Sequence, residues 1–367
     1  MSNPRETIRP FLVAFLAVAA AAVTQHIFSP RVLAQQPPER QSSGLINPRA
    51  AVFNPIAKKV YIVDTGRNAV QVIDTDSQAV HAVTVGAAPV ALDADTSTGR
   101  VYVANAGDGT VSILDGGSDA VLATVPVGPR PYSIAVNSRT GKAYITHTFS
   151  DKTSVLDGRT HAVTQLATGS IDQLAVDPEE NVEYLLAYEG GNLTLLEGAQ
   201  HAMRKAAAGK HAWGMTLNEA THTLYVARLG TGDVIALQGG RSAILKAGRT
   251  PCAVAVNPRT NMLYVANYAG GDVTVIDAAA GRTVATAPVG EHPQALAVDA
   301  QRNLVYVANT FSNTVTVIDG ATRKAVATLA AGKAPYALAV APGSAHLYVA
   351  NEAGDAPFTI VDTALPR

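Results

Sequence analysis

Three histidines carry the most reactive chemistry that the residue types of this sequence offer. His147, His211 and His292 each fall in a different copy of a repeated unit, so they could converge only across a central axis. Three imidazoles would be enough for a zinc site. The single cysteine, Cys252, excludes an intrachain disulfide, a cysteine-rich zinc site and C-x-x-C-H haem attachment. Because nothing else in the sequence brings the histidines together, we predict no metal and no cofactor.

Hydrolytic chemistry needs paired carboxylates, or a nucleophile beside a base. Glu291 and His292 are adjacent, but neighbouring side chains of an extended segment point to opposite sides. The sequence contains neither a G-x-S-x-G nor an H-E-x-x-H motif. We therefore predict no catalytic residue.

The unit that positions these residues repeats through the chain. Each copy has four short runs rich in β-branched residues, such as CAVAV, MLYVA, DVTVID and RTVATA, separated by turns that begin with Asn or Asp. Four such strands per unit predict the blade of an all-β propeller, with antiparallel strands named A to D from the channel outward. One tyrosine per unit recurs at spacings of 39 to 42 residues, at Tyr61, Tyr102, Tyr144, Tyr184, Tyr225, Tyr264, Tyr306 and Tyr348.

The number of blades follows from the strands. Eight A-B-C sets can be counted but only seven D strands. Because an unpaired sheet edge favours aggregation, we expect another segment to supply the missing strand, and counting back from Pro48 places it at residues 39–44. That segment is polar and a poor strand former. We predict eight blades, with seven as the alternative if one degenerate unit is miscounted.

These repeats resemble the YVTN family of β-propeller repeat proteins over residues 48–362. The element Y-V-A-N is intact in four units and decays to YIVD, YITH, YLLA and YVAR in the other four. The resemblance implies a β-propeller and, for members that carry a signal peptide, an exported protein. It implies no particular activity, because propellers host many unrelated functions.

The first 34 residues are expected to be a signal peptide. Arg5 and Arg9 precede a 13-residue apolar run, shorter than the roughly 20 residues of a spanning helix. Cleavage before Gln35 predicts a periplasmic or extracellular protein with no membrane span, and an uncleaved anchor is the alternative. Residues 35–47 would then form an N-terminal segment that could close the ring, and residues 48–367 a propeller that we expect to be monomeric.

Ligands of propellers usually bind where the D-to-A and B-to-C loops meet, here called the loop face; the A-to-B and C-to-D turns form the opposite turn face. The D-to-A loops follow a G-x-x-P pattern, in which Gly and Pro fix the turn. The inner loops carry charges of +4 against −2, which suits a small anionic or sugar-like ligand, whereas the B-to-C loops carry −8 against +3. The candidate ligand-binding residues are Arg130, Tyr132, His147, Lys210, His211, Trp213, Arg228, Arg249, Glu291, His292, Gln294, Lys333 and Tyr336.

The fourth and fifth units, residues 171–246, depart most from the repeat. Their D-to-A prolines are replaced, and they contain the only tryptophan. Because functional sites are where a sequence breaks its local pattern, we expect Lys210, His211, Trp213 and Arg228 to lie together on the loop face. A ligand should then change the fluorescence of Trp213. Burial of Trp213 between blades with His211 directed outward would contradict this interpretation, and drift of the repeat is the alternative.

The composition, 47% hydrophobic with a net charge of −1, excludes disorder and argues against nucleic acid as a partner. We interpret the protein as an exported, non-catalytic propeller that binds a small ligand or a protein on its loop face. The first alternative is a lactonase-like enzyme with Arg130, His211, Glu291 and His292 around the channel. The second is single-stranded nucleic-acid binding, in which aromatic side chains stack on bases.

Overall fold

Eight antiparallel sheets follow one another along the chain, and the computed structural model describes residues 51–188, 190–353 and 357–364. Blade 1 contains β1 (Ala51–Asn54), β2 (Lys59–Asp64), a 3-10 turn (Thr65–Arg67), β3 (Ala69–Asp74) and β4 (Val80–Thr84). Blade 2 contains β5 (Pro89–Ala94), β6 (Arg100–Asn105), β7 (Thr110–Asp115) and β8 (Val121–Pro126). Blade 3 contains β9 (Pro131–Asn137), β10 (Lys142–His147), β11 (Lys152–Asp157) and β12 (Val163–Ala167). Blade 4 contains β13 (Gln173–Asp177), β14 (Val182–Ala187), β15 (Asn192–Glu197) and β16 (Ala202–Ala207).

The second half of the ring repeats the arrangement. Blade 5 contains β17 (Ala212–Asn218), β18 (Thr223–Arg228), β19 (Asp233–Gln238) and β20 (Arg241–Lys246). Blade 6 contains β21 (Pro251–Asn257), β22 (Met262–Asn267), β23 (Asp272–Asp277) and β24 (Arg282–Pro288). Blade 7 contains β25 (Pro293–Asp299), β26 (Leu304–Asn309), β27 (Thr314–Asp319) and β28 (Lys324–Ala330). Blade 8 contains β29 (Pro335–Val340), β30 (His346–Asn351) and β31 (Phe358–Asp362).

The sheets close into a ring around their first strands. Each first strand packs against the first strands of both neighbouring blades, and β1 packs against β29 to complete the circle. The first strands are buried along their length, as in β21, whereas fourth strands such as β8 are largely exposed. Strand A is therefore innermost and strand D outermost, and the prediction of an eight-bladed propeller is confirmed.

Blade 8 has three strands among the described residues. The predicted closing strand at residues 39–44 lies outside the described residues, as do the predicted signal peptide and the segment 35–47. Those predictions stay predictions.

The repeated tyrosines lie between neighbouring blades, and some of them bond to the next blade. All eight rings are buried. The Tyr61 hydroxyl donates to the Gly116 carbonyl oxygen at 3.2 Å and to Asp119 at 3.0 Å, which joins blade 1 to blade 2. The Tyr348 hydroxyl donates to Gln78 Oε1 at 3.0 Å, which joins blade 8 to blade 1. The repeat thus uses a buried ring that carries a hydrogen-bonding group at its far end.

The asparagine that ends Y-V-A-N holds the following loop. Asn267 Nδ2 donates to Asp272 Oδ1 at 2.5 Å and to Thr274 Oγ1 at 2.8 Å, and Asn267 Oδ1 accepts from the Gly248 amide at 3.0 Å. A Cβ at Gly248 would lie only 2.5 Å from the Asn267 amide nitrogen. The glycine of G-x-x-P is therefore required by close approach to this asparagine, and the asparagines are structural.

Candidate functional site

A repeated backbone bond joins the two loops of six blades on the loop face. In blade 7, the Thr310 amide donates to the His292 carbonyl oxygen at 3.2 Å, and in blade 5 the Leu229 amide donates to the His211 carbonyl oxygen at 3.0 Å. The residue that supplies the carbonyl has a left-handed backbone, at φ 51° for His292 and 56° for His211. Three of the candidates, Arg130, His211 and His292, therefore occupy equivalent positions in their blades. The residues at this position are Ala88, Arg130, His211, Thr250, His292 and Ala334.

Two of these positions form matching aromatic pairs with the preceding blade. The His211 ring lies 5.5 Å from the Tyr188 ring of blade 4, and the His292 ring lies 4.4 Å from the Tyr268 ring of blade 6. The second pair is extended by Phe311, whose ring lies 4.1 Å from His292. Tyr188, Tyr268 and Phe311 are not among the residues predicted from the sequence. Each follows strand B closely, so the signal was an aromatic residue just after the Y-V-A-N position.

Aromatic residues outside the repeat position concentrate on the loop face. Of the nine such residues in the described part of the chain, only Phe53 belongs to the other end of a first strand. Phe149 is 90% exposed and Phe311 is 60% exposed. The other eight lie in or beside the B-to-C and D-to-A loops, but Trp213 and Tyr336 are buried, and Phe149 and Phe311 are the exposed rings among them. The eight are Tyr132, Phe149, Tyr188, Trp213, Tyr268, Phe311, Tyr336 and Phe358.

The exposed cations on this face have few internal partners. The side chains of Arg130, Lys210 and Lys333 are exposed and form no hydrogen bond or ion pair among the described residues. Arg249 is also exposed, but its guanidinium donates to the Ala269 carbonyl oxygen. Free guanidinium and ammonium groups beside aromatic rings can bind carboxylates.

The acidic residues of the B-to-C loops are mostly engaged within the protein. Asp108 accepts from the Ala87 amide and from Thr110. Asp272 accepts from Asn267, and Asp233 is paired with Arg228. The oxygens of these carboxylates already have donors. The negative charges counted in the B-to-C loops are therefore less available to a ligand than the sequence suggests. Glu189 and Asp355 of these loops lie outside the described residues.

Trp213 does not lie on the surface, and the prediction that a ligand contacts it is wrong. Its side chain is 2% exposed and packs in one cluster with Cys252 and Ala253 of blade 6, while its ring meets Tyr188 edge-on at 5.2 Å. His211 is exposed. The indole fills the space between the first strands of neighbouring blades. This departure from the repeat therefore places a larger ring in the core and not on the surface.

Four further candidates serve the fold rather than a free surface. His147 is buried, with Nδ1 2.9 Å from the Pro129 carbonyl oxygen and Nε2 2.6 Å from Ser154 Oγ, and burial lowers its pKa. Gln294 is buried and accepts from Thr310, and Tyr336 lies in a hydrophobic cluster. Arg228 is largely buried and ion-paired with Asp233 at 2.6 Å. The structure places these four predicted ligand contacts inside the fold, because sequence spacing does not show which side chains face inward.

The remaining candidates are accessible. Glu291 is exposed, and Tyr132 and His292 are half-buried. Within the described ranges, no group of three or more His, Cys, Asp or Glu side chains is arranged to hold a metal ion. His147, His211 and His292 therefore do not converge. Cys252 is buried, and burial raises its thiol pKa to about 12.

A cleft on the turn face was not anticipated. It has a volume of about 640 Å³ and lies between blades 1 and 8, where Phe53, Lys58 and Asp76 face Pro342 and His346. The described chain ends beside it, since the Thr363 amide bonds to the Ala345 carbonyl oxygen. None of the thirteen candidate residues lines this cleft.

Comparisons with known proteins support the fold and say nothing about an activity of this chain. No protein-family model and no curated protein matches this sequence. Hydrazine synthase of Kuenenia stuttgartiensis matches with a TM-score of 0.60 and 17% identity, over 78% of this chain and 99% of that chain. The dihydro-heme d1 dehydrogenase NirN, in complex with DHE, matches with a TM-score of 0.69 and 15% identity, over 95% of this chain and 78% of that chain.

A third solved structure, of a functionally unknown protein from Desulfotomaculum acetoxidans, matches with a TM-score of 0.60 and 12% identity, over 80% of this chain and 99% of that chain. Identities this low support the propeller fold alone. The chain is an eight-bladed β-propeller. No helix in the described residues is long and apolar enough to cross a membrane.

Proposed function

We propose that this protein is an exported, non-catalytic β-propeller of the YVTN repeat type that binds an acidic polypeptide segment on its loop face. Export rests on the N-terminal residue pattern, and membership of the YVTN family rests on the Y-V-A-N elements. The observation that carries the binding function is the concentration of non-repeat aromatic residues on one face, led by the exposed Phe149 and Phe311.

A protein partner fits this face better than a small molecule. An aromatic ring that is 90% exposed, as in Phe149, buries area only against a partner with an extended surface. The tyrosine–histidine pairs supply rigid contact area at low cost in conformational entropy. Arg130, Lys210 and Lys333 are free to pair with carboxylates, which gives the partner its acidic character.

Isothermal titration with poly-L-glutamate tests the charge component. A triple variant, Arg130→Ala/Lys210→Ala/Lys333→Ala, should weaken binding about tenfold, because each exposed ion pair contributes roughly 0.5 kcal/mol. The matched control removes the same charge from the outer surface and the turn face: Arg159→Ala/Arg282→Ala/Lys324→Ala. Equal weakening by both triples would mean that only net charge matters, and the proposed site would be wrong.

A peptide that alternates glutamate with phenylalanine tests the aromatic component. It should bind more tightly than poly-L-glutamate, and Phe149→Ser/Phe311→Ser should abolish the difference because the rings then have nothing to stack on. A single-stranded oligonucleotide of equal charge is the competing probe. Tighter binding of the oligonucleotide, or no binding of either peptide at low salt, would refute the proposal.

A further inference from the structure

At several seams on the turn face, a side chain at the end of strand A bonds to the A-to-B turn of the next blade, a contact that we call a latch. At three seams a buried asparagine at the end of strand A donates to an asparagine in the following blade's A-to-B turn. The Asn257–Asn303 bond of blades 6 and 7 is 2.9 Å long. In all eight blades the receiving position has a left-handed backbone: Lys58, Gly99, Gly141, Asn181, His222, Asn261, Asn303 and Gly343. Two amides carry no charge, so such a latch is insensitive to pH.

The seam between blades 4 and 5 replaces both amides by titratable groups. Asp177 stands where blades 1, 3, 5 and 6 have asparagine, and its Oδ2 lies 2.9 Å from His222 Nδ1. Blades 2 and 7 also have aspartate at this position, but no histidine follows in the next blade's turn. Asp177 is fully buried, whereas the His222 side chain is 38% exposed. The other imidazole nitrogen, Nε2, lies 3.8 Å from Glu180 Oε1. The hydrogen bond to Asp177 raises the pKa of His222, with the charges of Glu180 and Glu179 adding to it.

A further carboxyl sits beside this pair without a partner. Glu219 Oε1 is buried and has no hydrogen-bond partner among the described residues. Burial, together with the charges of Asp177 and Glu179, raises the pKa of Glu219 to about 7. An ionised Glu219 would place a second buried negative charge next to Asp177.

The elements packed around the seam do not neutralise this charge. From blade 3, the Arg139 guanidinium donates to the Glu179 backbone carbonyl oxygen rather than to a carboxylate of the seam. In strand B of blade 4, burial raises the pKa of the Tyr184 hydroxyl most, and the nearby charges of Asp177 and Glu180 also raise it. Arg204 is paired with Glu197 on the outer strands.

We propose that the seam between blades 4 and 5 is a proton-dependent latch, closed when His222 is charged and Glu219 is neutral, and weakened when both have lost their protons. The pKa values of both groups are raised in the folded protein, so their contribution is fully present below their ordinary values. This stabilising contribution is lost as the pH rises through the pKa values that the two groups have in the folded protein, which is about 7 for Glu219. The latch therefore opens on the alkaline side.

The same two blades form the Tyr188–His211 pair on the loop face. Trp213 contacts Tyr188 across this seam and is the only tryptophan, so it reports on the seam without labelling. A weakened latch should let the first strands β13 and β17 separate more often. Local opening of this kind is measured by amide hydrogen exchange.

Hydrogen exchange of the full chain at pH 6 and pH 8, corrected for intrinsic rates, tests the latch. In the Glu183→Gln background, which removes the other buried titrating carboxyl of blade 4, amides of residues 173–181 and 212–222 should open about fivefold more often at pH 8. The Asn257–Asn303 seam is the internal control and should show no such change. Equal openings at both pH values at the 4–5 seam, or an equal rise at the control seam, would overturn the proposal.

The repeat itself supplies the decisive variant. Asp177→Asn/His222→Asn, combined with Glu219→Gln, rebuilds the neutral latch found at three other seams, and its exchange at the 4–5 seam should lose the pH difference. The single variant Glu219→Gln leaves the Asp177–His222 bond intact and should remove part of the difference, and acrylamide quenching of Trp213 should follow the same order. A triple variant that keeps the full pH difference would show that other groups control this seam.

Discussion

Replacing Glu183 by glutamine should stabilise the protein at alkaline pH and change it little at acid pH. Glu183 lies in β14 and is 1% exposed, at a position where other blades have Val101, Leu263 or Val305. Its Oε1 accepts from Asn137 Nδ2 at 3.1 Å, but Oε2 has no partner among the described residues. Blade 4 therefore has a buried carboxyl at a position where these other blades have an apolar side chain.

The magnitude follows from the pKa of this carboxyl. Burial raises it from an ordinary 4.5 to about 7. At about 1.36 kcal/mol for each pKa unit, ionised Glu183 costs the folded state about 3 kcal/mol. Because the folded pKa is raised, stability is lost as the pH climbs from 4.5 through 7, and most of that loss falls between pH 5 and pH 8.

Urea unfolding of the wild type and Glu183→Gln at pH 5 and pH 8 measures the effect. The variant should gain about 2–3 kcal/mol over the wild type on going from pH 5 to pH 8, because glutamine has no proton to lose. The control Glu197→Gln alters an exposed carboxyl paired with Arg204 and should change stability by less than about 1 kcal/mol. An equal effect of Glu183→Gln at both pH values would refute the assignment of a neutral buried acid.

Three further predictions concern the repeat and its departures. Tyr61→Phe should cost about 1 kcal/mol of unfolding free energy more than Tyr264→Phe, because the Tyr61 hydroxyl bonds to blade 2 whereas the Tyr264 hydroxyl has no partner among the described residues; equal losses in urea unfolding would contradict this. Burial lowers the pKa of His147, so folding stability should fall as the pH drops below 6.5, and His147→Asn should remove that part of the acid sensitivity in urea midpoints at pH 5 and pH 7. Cys252, with a thiol pKa raised to about 12, should react with an aromatic disulfide reagent only in denaturant, and rapid labelling of the native protein would show that it is accessible.

The sequence predicted the parts of this molecule that repetition enforces. The tyrosine spacing marks strand B in every blade, and the asparagine after it holds the next loop, as seen at Asn267. Repetition cannot show which unusual side chain is buried. Trp213 and His147 depart from the repeat and fill space or bond internally, whereas Phe149 departs from it and is exposed.

The sequence placed the candidate residues on the D-to-A and B-to-C loops but did not show which of their side chains are exposed. Arg130, His211 and His292 were selected by charge and ring type, and their shared left-handed position emerges only when the loops are compared in three dimensions. Tyr188 and Tyr268 were missed because each pairs with a histidine of the next blade, a contact between residues 23 or 24 apart in sequence. The Asp177–His222 latch spans 45 residues and was missed for the same reason.

A hydrogen-exchange footprint with the glutamate–phenylalanine peptide tests most directly whether the loop face binds the partner. Protection should appear in the D-to-A and B-to-C loops around His211, Phe149 and Phe311 when the peptide is bound. The A-to-B and C-to-D turns should exchange as in the free protein. Protection confined to the turn face, for example at the cleft beside Lys58 and His346, would contradict the claim.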